Sequence, residues 1–296
     1  MHDLLIIGGG PAALTAAIYA ARYKLDALVL ADHIGGQIAE ARDVENWPGI
    51  KNISGMELMD RFKEHARSLG GSIAQEEAKE VVKDEMFTVN RKHKAKAVLI
   101  ASGSRKRKLE VPGEKEFLGR GVSYCATCDG AFFRDKKVGV VGGSDSAAVS
   151  ALILAEFAEK VYILYRRSEI RAEPHWREKI EKNSRIEIIP NVNVKEIRGD
   201  KRVKSVLLDH GKEIELDGLF IEIGTVPFSG ITEMLKVSTD DPGYIVVDDR
   251  QATDVQGVYA AGDVTTGSNN FRQVITACAE AAVAVRSIWE DLRKDG

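Results

Sequence analysis

Apolar residues along this chain fall in short blocks whose order repeats. Leu4 to Ile7 is a continuous apolar run that predicts a buried strand. Gly8-Gly9-Gly10 follows, Pro11 stands where a helix can begin, and an alanine-rich stretch carries that helix to about Tyr23. Ala27 to Leu30 then predicts a second buried strand. The segment KKVGVVGGSDSAAVSALILAEFAEKVYILYRR has the same order. Shifted by 134 positions without a gap, Gly8 falls on Gly142, Ala13 on Ala147, and Ala27 to Leu30 on Val161 to Leu164. One strand, glycine turn and helix is weak evidence; two copies, each followed by a further strand, predict two dinucleotide-binding βαβ units.

The residue types at each turn have separate physical jobs. The first glycine permits a tight strand-to-helix turn, the second lets the backbone approach a pyrophosphate, and a small third residue lets helix pack on strand. The N–H groups and dipole of the helix start then favour the phosphates. Gly8, Gly10 and Ala13 meet all three needs; Gly142 and Ala147 meet two, while Ser144 brings a Cβ and a hydroxyl to the close-approach position. The competing reading of either unit is a tight βαβ turn with no ligand. After the second strand, Asp32 aligns with Arg166. An acid there suits a ribose diol and repels a 2′-phosphate, and arginine does the reverse. Arg166, Arg167 and Arg171 therefore read as a 2′-phosphate clamp for NADPH, or else as a solvated basic surface, and the first unit as the site of another adenine dinucleotide.

Length and charge bound the rest. The 296 residues suggest two domains, and 42 Lys+Arg against 45 Asp+Glu leave a net charge of −3, with no field drawing nucleic acid or anionic membrane. A hydrophobic share of 44% and a charged share of 29% exclude disordered and fibrous classes. The basic runs Arg105 to Lys108 and Arg91 to Lys96 are short and lack interleaved aromatics, so no nucleic-acid partner is expected. Leu4 to Ala21 carries no charge, but Gly8-Gly9-Gly10-Pro11 interrupts it, so no membrane span is expected. Pro-Gly pairs at Val111-Pro112-Gly113 and Asp241-Pro242-Gly243 bracket the second unit. The expected organisation is α/β: two Rossmann-like three-layer domains, the second (112–240) inserted into the first (1–111 and 241–296).

Three cysteines cannot form a disulfide framework, which fits a cytoplasmic protein. Cys125 and Cys128 are three apart, on one face of a helical turn, close enough to bridge reversibly as a redox dithiol, or else to form a structural disulfide or an inert pair. Zinc would need four ligands, whereas Cys278 sits in an apolar helical run and the six histidines are scattered; no metal site is expected. Asp129 next to Cys128 is placed to hold a proton for a leaving thiolate, or belongs to a plain Asp-Gly turn.

The motifs GGGPAA, GGQ, VENWPG, ASG, CATCDG, RRSEIRAE, AGDVT and FRQ occur in the order seen in the low-molecular-weight thioredoxin reductases, which this chain resembles over nearly its whole length. That resemblance implies a homodimeric FAD enzyme passing electrons from NADPH through a dithiol to oxidised thioredoxin. By it, Cys128 is the flavin-proximal thiol, Cys125 the thiol that exchanges with the partner, and Asp129 the acid–base group. FAD contacts fall on Gly8, Gly10, Pro11, Ala12, Asp32, Gly36, Gln37, Asn46, Ala101, Gly103, Asp263, Arg272 and Gln273. Nicotinamide-dinucleotide contacts fall on Gly142, Ser144, Asp145, Ser146, Arg166, Arg167 and Arg171. Ser144 and Tyr165 depart from the family pattern, which leaves NADH, a deazaflavin or ferredoxin as competing donors and a glutaredoxin-like protein as a competing acceptor. A non-catalytic redox sensor is the remaining alternative. Dithiol and nicotinamide turn share the inserted domain, so a domain rotation between half-reactions is expected.

Overall fold

The computed structural model describes residues 1–41, 43–227 and 230–294. In chain order the first stretch holds β1 (His2–Ile7), α1 (Pro11–Arg22), β2 (Ala27–Ala31), α2 (Gly55–Ser68), β3 (Ser72–Gln75), β4 (Val81–Lys83), β5 (Phe87–Val89), β6 (His93–Ile100) and β7 (Ser104–Lys106). The middle holds β8 (Val122–Ser123), α3 (Ala126–Asp129), β9 (Lys137–Val141), α4 (Asp145–Ala155), β10 (Lys160–Tyr165), α5 (Pro174–Glu181), β11 (Ile186–Pro190), β12 (Val194–Gly199), β13 (Val203–Leu208), β14 (Glu213–Glu215) and β15 (Gly218–Ile221). The last stretch holds β16 (Thr225–Pro227), α6 (Gly230–Leu235), β17 (Val258–Ala260) and α7 (Val274–Lys294). These elements form two compact units, Met1–Arg105 with Val226–Gly296 and Lys106–Thr225.

In the first unit the sheet runs β3-β2-β1-β6-β5-β4, with β17 also paired to β6. Strands β3, β2, β1, β6 and β17 are parallel, and β4 and β5 continue from β6 as an antiparallel meander. The alternation of β1 explains the layering, because successive side chains face opposite sides. Leu4 and Ile6 join the core under α1 and α7, whereas Leu5 and Ile7 join the core under the meander and α6. Helix α1 turns Ala12, Ala13, Ala16, Ala17 and Ala20 into this core, and α7 lays Ala277, Ala281, Ala284 and Ile288 along its buried stripe, so the two helices pack closely.

The second unit repeats this plan. A parallel sheet β11-β10-β9-β15-β8 carries α4 and α5 on one face and the antiparallel β12-β13-β14 on the other. Each unit is thus helix layer, parallel sheet and β layer, the two Rossmann-like α/β folds expected. Among the described residues no helix is long and apolar enough to cross a membrane.

The crossings do not lie at the Pro-Gly pairs. They fall between Arg105 and Lys106 in β7 and between Thr225 and Val226 in β16. The Arg107 N–H donates to Gly224 O at 2.9 Å, which brings the two ends of the second unit together. Val111-Pro112-Gly113 is instead a turn inside the second unit, where Pro112 O accepts from the Ile197 N–H at 2.9 Å. Asp241-Pro242-Gly243 is a turn inside the first, closed by the Gly243 N–H on Asp240 O at 2.8 Å. Gly113 and Gly243 have φ of 88° and 95°. At 111–114, proline followed by a positive-φ glycine is the signature of a type II turn, which the Glu114 N–H closes on Val111 O at 3.2 Å; such a turn is as useful inside a domain as between two.

Candidate functional site

The first turn is built as its sequence predicts. β1 pairs with β2 in the register Leu4↔Ala27 through Ile7↔Leu30, and the Gly8 N–H closes the turn on Leu30 O at 2.9 Å. Gly8 has φ 131°, and a Cβ there would overlap the Ala101 carbonyl oxygen. Helix α1 then opens with Gly10 as an N-cap without a side-chain partner, Pro11 in its first turn and no acidic residue there. Its N–H groups and positive end are left for an anion. A Cβ on Gly36 would stand 3.0 Å from the Gly10 Cα, so these two glycines face each other across a slot that side chains would fill. This geometry suits a dinucleotide pyrophosphate.

Other residues expected around that slot are brought together by the same unit. Gln37 donates from Nε2 to Ser104 O at 2.6 Å, and Asn46 donates from Nδ2 to Gln273 Oε1 at 3.0 Å. Asn46 and Gln273 are far apart in sequence, and only the fold makes them neighbours. Gln273 precedes α7, where its N–H donates to Thr276 Oγ1 at 3.0 Å. The Arg272 guanidinium lies 3.7 Å from the centroid of the Tyr244 ring. Burial pushes the Asp263 carboxyl up, with the Arg272 charge opposing that rise and Glu280 adding to it. Ala12 and Ala101 are buried beside the turn, and Gly103 has φ 66°. Asp32 is exposed after β2 and pairs with His33 at 2.9 Å.

In the second unit Gly142 (φ 147°) plays the part of Gly8: its N–H donates to Leu164 O at 3.1 Å, and a Cβ would overlap Glu222 O. Ser144 caps α4 without a side-chain hydrogen bond, and its φ of −93° and ψ of −178° are open to any residue. Asp145 opens the helix and accepts the Glu173 N–H at 2.7 Å; Ser146 follows in the first turn. The Tyr165 ring packs on Gly143 and fills the space a Cβ would need. Arg166, Arg167 and Arg171 are exposed after β10, and among the described residues none of them shares an ion pair with an acid. Three unpartnered guanidinium groups at this place suit a 2′-phosphate.

Cys125 and Cys128 form a disulfide with a Cα–Cα distance of 5.3 Å at the start of α3. The Cys128 N–H points at Cys125 Sγ at 3.1 Å, while the Cys125 N–H donates to the buried Ser123 hydroxyl at 3.0 Å. When the bond opens, a backbone donor is already aimed at the Cys125 sulfur. Tyr124, just before, donates from its hydroxyl to the buried Glu114 carboxylate, which also accepts the Leu109 and Glu110 N–H groups. Burial and that carboxylate raise the Tyr124 phenol far above its usual value. By contrast burial pushes the Cys278 thiol up to about 11, which keeps it protonated and unreactive at neutral pH.

A family model described as pyridine nucleotide-disulphide oxidoreductase matches residues 2–281. The chain belongs to that family. The thioredoxin reductase of Bacillus subtilis is 41% identical over 299 residues, covering 97% of this chain and 94% of that protein. Among solved structures, thioredoxin reductase from Lactococcus lactis is 36% identical with a TM-score of 0.94, covering 99% of this chain and 100% of the other. The structure of T. acidophilum thioredoxin reductase is 38% identical with a TM-score of 0.92, covering 99% of each chain.

Two carboxylates of this pyridine nucleotide-disulphide oxidoreductase escaped the sequence reading. Glu280, 6% exposed, accepts the Gly262 N–H at 2.7 Å on Oε2 and so pins the turn that carries Asp263. A lone charge inside the run TACAEAAVAV was the available signal, since a buried Glu needs a partner. Glu222, 5% exposed at the end of β15, pairs with Lys106 at 2.8 Å and accepts from Ser150 Oγ at 2.9 Å. Lys106 and Glu222 come from opposite ends of the unit, and no local pattern joins them.

Proposed function

We propose that this protein is a thioredoxin-disulfide reductase: electrons pass from NADPH through FAD to the Cys125–Cys128 pair and on to the disulfide of a thioredoxin or similar protein. The observation that carries this reading is a redox dithiol housed in the same unit as a second dinucleotide turn, while a glycine-lined pyrophosphate slot lies in the other.

When bound, FAD supplies a two-electron carrier between the nicotinamide donor and the disulfide. The chain's own residues do the remainder. Gly8, Gly10, Pro11 and Ala12 hold the pyrophosphate against α1, Asp32 takes the ribose hydroxyls, and Gly36, Gln37, Asn46, Ala101, Gly103, Asp263, Arg272 and Gln273 line the rest. Gly142, Ser144, Asp145 and Ser146 form the corresponding turn for NADPH, whose 2′-phosphate meets Arg166, Arg167 and Arg171. Two electrons and two protons open the Cys125–Cys128 bond to two thiols, and Asp129 holds a proton for the Cys128 sulfur. The Cys125 thiolate then attacks one sulfur of the partner's disulfide, and the partner's other sulfur leaves as a thiolate. Cys128 attacks Cys125 Sγ, which releases the reduced partner and restores the internal disulfide. Because dithiol and NADPH turn share one unit, each must reach the flavin in its own half-reaction, and rotation of that unit provides the alternation. The working form is a homodimer in the cytoplasm, where a thiol relay of this kind is kept supplied with reductant.

Cys128→Ser tests the assignment. The variant should keep FAD and NADPH-dependent dye reduction while thioredoxin reduction falls to background. Loss of dye reduction with FAD still bound would overturn it. Anaerobic bleaching of the yellow wild-type protein by NADPH, set against NADH and reduced ferredoxin, tests the donor.

A further inference from the structure

Arg166, Arg167 and Arg171 sit on a segment between β10 and α5 that has no regular hydrogen-bonded structure of its own. Such a segment cannot hold three repelling guanidinium groups toward one phosphate unless something outside it fixes the backbone. Contacts from outside the segment fix it. The Arg171 N–H donates to Gly143 O at 2.5 Å, which ties the segment to the dinucleotide turn itself. The Glu173 N–H donates to Asp145 Oδ1 at 2.7 Å. Ile170 and Ala172 are buried on either side of the exposed Arg171. Their two carbonyl oxygens are both taken by one side chain: Arg177, half-buried on α5, donates from Nε to Ala172 O at 2.8 Å and from Nη2 to Ile170 O.

Arg177 differs in kind from its neighbours. Its planar fork is spent on backbone carbonyls one residue before and one residue after Arg171, so it brackets that arginine. Carbonyl partners leave the guanidinium charge uncancelled, unlike the carboxylate partners of Arg61, Arg91, Arg198, Arg250 and Arg286. The segment is therefore stiffened without adding an acid beside the place where a phosphate would lie. A lysine could not do this, because a single ammonium on a flexible stem does not present two donors in a fixed plane.

We propose that Arg177 is the positioning residue for recognition of the NADPH 2′-phosphate, holding Arg171 at the angle where it meets that group. This rests on the reading of Arg166, Arg167 and Arg171 as the clamp. It assigns the preference for the phosphorylated dinucleotide partly to a residue that does not touch it.

The test uses the FAD-loaded protein and two probes, adenosine 2′,5′-bisphosphate and adenosine 5′-phosphate, with binding followed by calorimetry. Arg177→Leu keeps the buried stem and removes the fork; it should weaken the bisphosphate on the order of tenfold, as misplacement of a binding group does, and leave the monophosphate unchanged. Arg177→Lys should behave like Arg177→Leu. In turnover, KM for NADPH should rise in both variants while kcat with NADPH and both constants with NADH stay at wild-type values. Equal weakening of both probes would reduce Arg177 to a structural prop and overturn the proposal, as would full retention in Arg177→Lys or no change at all. Arg171→Ala separates this from the underlying reading: if Arg171→Ala binds the bisphosphate as well as wild type, the clamp itself fails. If Arg171→Ala is impaired and Arg177→Leu is not, only the bracket fails.

Discussion

Leu4 pairs with Ala27 and Val138 with Val161; Gly8 closes on Leu30 and Gly142 on Leu164; the Leu14 N–H reaches Gly10 O and the Ala148 N–H reaches Ser144 O. The two turns correspond position for position, and their surroundings do not. Over the middle glycine stands the Ala31 side chain in the first unit and the Tyr165 ring in the second. At the first helical position stands Pro11 in one and Asp145 in the other. In both, the middle glycine's carbonyl accepts an N–H from the segment after the second strand, from Gly35 at 2.8 Å and from Arg171 at 2.5 Å. That donor is followed by Gly36 and Gln37 in the first unit and stands among arginines in the second. The backbone turn is shared; under the proposed function it is a common holder for a pyrophosphate, and the side chains placed around it decide what else the ligand must carry.

The comparison is broken most violently at the first glycines. Gly8→Ala and Gly142→Ala each force a Cβ onto a backbone carbonyl at a φ that L-residues rarely adopt, and each should cost about 3 kcal/mol or more. If the turns have separate ligands, Gly8→Ala should lose the yellow colour, and Gly142→Ala should keep it while losing bleaching by NADPH. Calorimetric scans and spectra of the two variants check this; flavin loss from both alike would deny the division of labour.

A smaller effect is expected from the buried carboxylates that steady each crevice. Glu280→Ala leaves the Gly262 N–H without its acceptor, at about 1–3 kcal/mol. Glu222→Ala leaves Lys106 without its carboxylate; that side chain is 30% exposed, so the cost falls below a fully buried pair, about 2 kcal/mol. Glu280→Ala should also release FAD during gel filtration, whereas Glu222→Ala should retain it. Urea midpoints and flavin content measure both, and retention of flavin by Glu280→Ala would break the link between that carboxylate and the Asp263 turn.

What could be read from the chain followed from local rules. Strand period, glycine turn and helix start are set within about ten residues, so both βαβ units and the Cys-x-x-Cys pair were legible in the sequence. The crossings were not, because Pro-Gly reports a turn and says nothing of whether the chain is leaving a domain. Nor were Asn46 with Gln273, Lys106 with Glu222, or Arg177 beneath Arg171. Each of these depends on which distant segments the layers bring together, or on which backbone carbonyl a side chain meets after folding. The three-stranded β12-β13-β14 layer likewise came from the structure, its short polar-faced strands offering only weak alternation.

The smallest change belongs to the position where the two sequences differ most conspicuously. Glycine at position 10 and serine at 144 share an extended backbone, φ −85° with ψ −169° against φ −93° with ψ −178°. The conformation therefore does not call for glycine, and Ser144 makes no side-chain cap whose loss would be felt. What remains is the room its Cβ and hydroxyl occupy beside a pyrophosphate, where the hydroxyl is itself able to donate to a phosphate oxygen. These two contributions oppose each other. Ser144→Gly should shift stability by less than about 1 kcal/mol and change KM for NADPH by less than about threefold, a difference of roughly 0.6 kcal/mol. Steady-state kinetics with NADPH and NADH measure it. A large gain in NADPH affinity would mean that serine obstructs the second turn, and the two turns would then differ in their holder as well as in their surroundings.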